Sequence, residues 1–212
     1  ARVRVAGADG PLVDETITFG EFAEAVRYQL YAPGRAAGLP SMLTRAAAGD
    51  YAPIANAAIA NRAGIQRGIW HGMYLSVTCA EDIPGMTPRD IRDATSGTRL
   101  GDYRVRQQIE ACHEWPRGAA PGPHFGAPVQ TPALVLVGEF DPATPLPWAR
   151  RALTLLPNGR LIIVPHGAHA FGGLGIDACL ATLTSDFITR GSARDVDSSC
   201  VAAARRPPFT LR

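Results

Sequence analysis

The chain has 212 residues, 46% of them hydrophobic, which is enough to bury one large domain or one domain with a cap. A formal net charge of +2, with 19% charged residues, leaves no excess of basic charge for a nucleic acid or an acidic membrane surface, so neither is expected as a partner. No apolar run approaches the roughly 18 residues of a membrane span.

The sequence opens on Ala1 without a signal-peptide pattern or an initiator Met, and a processed or excised chain is expected. "RVRVAGADGPLVDETITF" (2–19) has two alternating runs around a Gly-rich turn and predicts a hairpin. From 18 to 115 the pattern is helical. "TFGEFAEAVRYQLY" begins with Thr18 and has Glu21 three residues on, a capping-box signature. "LPSMLTRAAAGD", "YAPIANAAIANRAG", "IQRGIWHGMYLSV", "TPRDIRDATSG" and "LGDYRVRQQIEACHEW" follow, each about one helix long. Short, separately capped helices suit a lid better than a bundle. Within them, Trp70 and His71 read as packing residues.

Residues 116–132, "PRGAAPGPHFGAPVQTP", read as a linker. The chain then becomes β/α. "ALVLVG" (133–138) and "GRLIIVP" (159–165) are short apolar runs, expected as parallel strands buried on both faces. "PLPWARRALTLLP" and "IDACLATLTSDFITRG" are the intervening and following helices, the second ending at Gly191, and "RRPPFTLR" reads as a surface extension.

The first strand ends in "VGEFDPATP" and the second in "VPHGAHAF". In open α/β sheets the reactive groups sit beyond the carboxyl ends of the strands. Neighbouring parallel strands lie about 5 Å apart, so Asp141 and His169 are expected to meet, the carboxylate orienting the imidazole as in an acyl-transfer triad. Glu139 is the competing acid and His166 the competing histidine. His169 is preferred because small residues precede it and a Gly-rich run follows, leaving room for a substrate.

Cys79, Cys112, Cys179 and Cys200 allow three disulfide pairings. Cys79–Cys112 and Cys179–Cys200 are favoured because each closes a loop within one region, with four buried free thiols as the alternative. Two bridges would imply an oxidising compartment. No CxxC pair occurs, and "HGAH" lacks a third ligand at suitable spacing, so neither metal nor cofactor is expected. All 21 basic residues are arginine, a bias expected of a GC-rich bacterium.

The acid motif, the histidine motif and the closing "CLATLTSDFITRGSARDVDSSC" resemble the end of an α/β-hydrolase of the secreted tripeptidyl-aminopeptidase-like (TAP-like) group, related to proline iminopeptidases. "MYLSVTCAED" and "ACHEWP" are similar to its cap, so the resemblance spans nearly the whole chain. Ala168 departs from the Gly that many hydrolases carry before the histidine.

The resemblance implies an α/β fold with a largely helical cap and N-terminal hairpin over 1–125 and an α/β-hydrolase segment over 126–212. It implies catalytic Asp141 and His169 and the same two disulfides. It also implies acidic cap residues for a substrate's free amino terminus, for which Glu81 and Asp82 are the candidates.

The expected nucleophile is absent. No GxSxG occurs, and Ser41, Ser76 and Ser96 do not stand between a buried strand and a helix with small neighbours. Two core strands also cannot cover their own faces. An N-terminal hydrolase half carrying the serine elbow is therefore the expected partner, as part of one precursor or as a separate chain. The leading function is a secreted or periplasmic bacterial serine hydrolase releasing residues or short peptides from peptide N-termini, inactive and poorly folded as this chain alone. The alternatives are a carboxylesterase of the same fold and a non-catalytic hydrolase remnant acting in binding or assembly.

Overall fold

The computed structural model describes residues 1–7, 10–116, 118 and 127–211, without the side chains of 66 and 67. The predicted hairpin forms from β1 (Arg2–Ala6) and β2 (Leu12–Thr16), antiparallel with Arg2 opposite Thr16. Helix α1 (Phe19–Gln29) starts at Thr18, whose hydroxyl accepts the Glu21 amide at 3.2 Å. Only this half of the predicted capping box is made, because the Glu21 carboxylate turns to Arg62 at 3.3 Å.

Helices α2 (Pro33–Ala36) and α3 (Leu39–Ala47) lead to α4 (Ala52–Gly68). The predicted break at residue 64 is displaced to Ile69 and Trp70, where the backbone becomes extended. Ile54, Ala55 and Ala58 anchor α4 in a core with Val5, Ile17, Ala25 and Met42. Once that face is buried, the remaining turns add a hydrogen bond per residue at little cost and the helix runs on.

Helix α5 (His71–Val77) passes into a π-helical turn at Thr78–Asp82 and a 3₁₀ turn at Ile83–Gly85. Helix α6 (Pro88–Thr95) carries a complete capping box between Thr87 and Asp90, and α7 (Tyr103–Glu114) follows. Trp70 does not pack as expected: it is 82% exposed. Most of the predicted linker lies outside the described residues. Its last part is tied down where the Val129 amide donates to Leu155 O at 2.8 Å and the Asn158 side chain donates to Gln130 O at 2.7 Å.

Strands β3 (Ala133–Gly138) and β4 (Gly159–Val164) pair in parallel, Ala133 opposite Gly159 and Gly138 opposite Val164. Helix α8 (Leu146–Leu153) connects them. Helix α9 (Asp177–Arg190) follows and stops at Gly191, whose φ of 61° is the left-handed conformation a terminating glycine supplies. Ile162 packs with Leu183, Val196 and Val201, while Val164 packs with Leu174, Ile176 and Ala204.

The expectation of burial on both faces is not met. Ile163 stays 37% exposed between buried Ile162 and Val164, and Phe140 and Trp148 are exposed nearby. Among the described residues this sheet has two strands, so each strand leaves one edge without a neighbouring strand.

Both disulfides are the local ones. Cys79–Cys112 joins the π-helical turn to α7, and Cys179–Cys200 joins α9 to a 3₁₀ turn at Ser199–Ala203. The free-thiol alternative falls, since all four cysteines are bonded. The C-terminal tail is not a loose extension. The Thr210 amide donates to Ala37 O at 2.8 Å, and Thr210 O accepts the Ser41 amide at 3.2 Å, satisfying an N–H that the first turn of α3 leaves unpaired.

Replacing Cys179 and Cys200 together by serine is expected to lower unfolding free energy by about 3 kcal/mol, the loop-closure entropy of a bridge this local. Urea titration of the oxidised parent and the variant measures it. Non-reducing peptide mapping should return the two local pairs, and a cross-pair such as Cys79 with Cys179 would refute the assignment.

Candidate active site

The acid loop after β3 and the histidine loop after β4 are laced together. The Glu139 amide donates to Val164 O at 3.1 Å and the Phe140 amide to Gly167 O at 2.8 Å. Glu139 then accepts the His166 amide at 2.9 Å, and His166 takes a φ of 59°, uncommon for a residue with a side chain. A Cβ at Gly138 would overlap the backbone of Gly167 and Ala168, so glycine there is what lets the two loops touch. The competing acid and the competing histidine thus serve as a latch between the loops.

Asp141 is 8% exposed. Its Oδ1 accepts the amides of Ala143 at 2.8 Å and Thr144 at 2.9 Å, the pattern of an Asx turn, and its Oδ2 accepts the Thr144 hydroxyl at 2.9 Å. His169 Nδ1 stands 3.1 Å from Oδ2 and 3.2 Å from Oδ1. Asp141 therefore satisfies loop amides and meets the histidine at once. A carboxylate on Nδ1 favours the tautomer with hydrogen there, leaving the Nε2 lone pair available as a base.

Thr144 Oγ1 also lies 3.3 Å from Nδ1. Sequence reasoning missed this residue, although "DPAT" places a hydroxyl three positions after an Asx-turn aspartate, which is a readable signal. Tyr31 was missed as well, without any local signal: its ring meets the His169 ring at 5.3 Å and 72°.

Part of the Gly-rich run after His169 is taken up by the chain itself. The Ala170 amide donates to Tyr31 O at 2.8 Å, and the Gly34 amide donates to Gly172 O at 3.0 Å. A Cβ on Gly173, whose φ is 93°, would come within 2.7 Å of Gly34 Cα. Those glycines admit the backbone of residues 31–34.

Beside Tyr31 opens a cleft of about 760 Å³ walled by α1, α4, α5 and α7. Arg27 grips Glu24, with Nη2 2.7 Å from Oε2, and donates to the Tyr31 hydroxyl at 2.5 Å. Across the cleft Arg104 donates to the Tyr74 hydroxyl at 2.5 Å, Tyr74 donates to Gln108 Oε1 at 2.9 Å, and Gln108 donates to Thr78 Oγ1 at 2.8 Å. His71, expected to pack its own helix, lines this cleft.

The structure does not bring Glu81 and Asp82 to the cleft. The π-helical turn points Cys79 inward to its disulfide and leaves these two carboxylates exposed. The carboxylates that do line it are Glu21 and Glu24. No serine is among the hydrogen-bond partners of His169 in the described residues. Ser76 is occupied by the Trp115 indole at 3.2 Å, the Ser41 amide takes the tail, and Ser96 ends α6.

Residues 97–200 match the family described as TAP-like protein. This stretch is a TAP-like α/β-hydrolase segment. It holds β3, α8, β4 and α9, Asp141 and His169, and three of the four disulfide cysteines. The match is narrower than the resemblance seen in the sequence, since the hairpin and α1 to α6 lie before it. No curated protein and no solved structure matches the chain.

Within the TAP-like segment, burial opposes ionisation of Asp141, but the Thr144 and Ala143 amides, His169 and the Thr144 hydroxyl together outweigh it. Its pKa is therefore held below that of an ordinary aspartate, and it stands as a carboxylate at neutral pH. A depressed native pKa contributes stability that is complete above the unfolded value near pH 4 and is lost as pH falls through the lower native value. Asp141→Asn is expected to remove this acid-side dependence. Urea unfolding from about pH 6 down to about pH 2 reads the slope, and equal slopes in parent and variant would refute the linkage.

Proposed function

We propose that this chain supplies the acid and the base of a serine-type hydrolase acting on peptides from the amino terminus. The observation that carries the reading is Asp141, buried and held by three loop donors, lying 3.1 Å from His169 Nδ1. Pinned in this way, the carboxylate can stabilise the imidazolium that forms when Nε2 takes a proton. In the reaction, Nε2 removes the hydroxyl proton as a serine oxygen bonds to the substrate carbonyl carbon. It returns that proton to the leaving amine as the C–N bond breaks, and the acyl-enzyme is then hydrolysed by water activated in the same way.

The serine is proposed to come from a segment outside residues 1–212. Two observations support this: the sequence has no GxSxG, and the β3–β4 sheet has two strands with open edges among the described residues, with Ile163, Phe140 and Trp148 exposed beside it. On this reading, residues 1–125 form the cap and 126–212 the closing part of the hydrolase sheet. The cap offers Glu21 and Glu24 in the cleft as carboxylates near a substrate's ammonium group. Two disulfides fit a secreted or periplasmic location, and no helix among the described residues is long and apolar enough to cross a membrane.

The test is fluorophosphonate treatment of the complete protein, followed by peptide mapping and assays on peptides with free and acetylated amino termini. The expected result is one labelled serine outside these 212 residues and activity only on the free-amine peptides. Asp141→Asn is expected to lower turnover by about 10⁴-fold with the fold retained, as the analogous change does in a serine protease. Labelling of a serine within 1–212, or near-normal turnover of Asp141→Asn, would overturn the reading. Equal activity on acetylated peptides or simple esters would turn it toward an esterase.

A further inference from the structure

The side chain of His169 is 41% exposed, and its hydrogen-bonding partners among the described residues, Asp141 and Thr144, meet it at Nδ1. Those bonds hold the Nδ1 edge of the ring, while the Nε2 edge has no hydrogen-bond partner among the described residues and is left to rock within the broad χ2 well of a histidine. A general base needs its plane fixed as well, since Nε2 must face the hydroxyl it deprotonates. The Tyr31 ring packs edge to face against the imidazole.

Tyr31 is itself held at both ends. Its carbonyl accepts the amide of Ala170, the residue after His169, and its hydroxyl accepts from Arg27 at 2.5 Å. Arg27 is locked in turn by Glu24, which takes its Nε at 3.0 Å and its Nη2 at 2.7 Å. The guanidinium also lies 5.2 Å from the centre of the Tyr31 ring. A continuous chain therefore runs from the wall of the cleft to the imidazole: Glu24, Arg27, Tyr31, His169.

We propose that Tyr31 is a positioning residue: its ring sets the plane of the His169 imidazole, and that ring is held by its backbone tie to Ala170 and by the Arg27 guanidinium beside it. Through this chain the helical N-terminal part of the molecule reaches the base without contributing a reacting atom. The proposal rests on the reading of His169 as the general base, and the experiment separates the two.

In the complete protein with labelled histidine, a nuclear Overhauser contact between the Tyr31 and His169 rings is expected, and its absence overturns the proposal. Tyr31→Phe keeps the ring and loses the hydroxyl, while Tyr31→Leu keeps apolar volume and loses the ring. The His169 Cε1–H resonance should move in Tyr31→Leu and stay close to its parental position in Tyr31→Phe. The rate of fluorophosphonate labelling should fall about 10- to 100-fold in Tyr31→Leu, the scale of a misplaced reacting group, and remain close to the parent in Tyr31→Phe.

A folded Tyr31→Leu protein labelled at the parental rate overturns the proposal. If the parent itself is not labelled, the reading of His169 as a base fails, and the resonance alone decides about Tyr31: an unmoved signal in Tyr31→Leu overturns the positioning. Should Tyr31→Leu fail to fold, the Overhauser contact in the parent decides.

Discussion

The pairing of β3 with β4 is the constraint on which the rest of the site depends. Parallel strands at hydrogen-bonding distance deliver their carboxyl ends side by side, and the register sets Gly138 opposite Val164. From that point the acid loop and the histidine loop leave together. The close approach of Gly138 to Gly167 and Ala168 keeps them together for three more residues. Asp141 and His169 then meet without either loop having to be long. The Glu139 latch on the His166 amide holds the left-handed turn that sends the histidine back toward the acid.

The same loops also receive the helical part of the molecule. Residues 31–34 lie along 170–173 through two backbone hydrogen bonds, at a separation that Gly34 and Gly173 permit. The C-terminal tail makes a second tie, between Thr210 and the start of α3. The cleft opens beside this junction, with Tyr31 on its wall and His169 behind Tyr31. A helical part joined to the histidine loop through its backbone cannot shift without moving His169. The polar wall made by Arg104, Tyr74, Gln108 and Thr78 stands on the opposite side, braced by Cys79–Cys112.

Local pattern made much of this legible. The hairpin, the Thr18 cap, the Gly191 stop and the two parallel strands all follow from residue type and spacing within a few positions. The meeting of Asp141 with His169 was also readable, because strand ends in a parallel sheet leave little choice of neighbour. Other features were not. Glu81 and Asp82 look well placed beside a disulfide, but a helical turn that aims one side chain inward aims the next ones outward, and neither reaches the cleft. The end of α4 moved because burial of Ile54 and Ala58 carries a helix past a weak local stop.

The sequence by itself determined the α/β class, the meeting of Asp141 with His169 and the lack of a GxSxG motif, and it favoured the local disulfides, since each is a matter of residue identity and short-range spacing. Only the tertiary structure decided what stands around the histidine. Tyr31 and Gly34 reach the loop after His169 from the far end of the chain, and no periodicity or motif links positions so distant. Their contact is set by how the helical core and the β3–β4 unit pack, which is a property of the assembled surfaces and not of any local stretch.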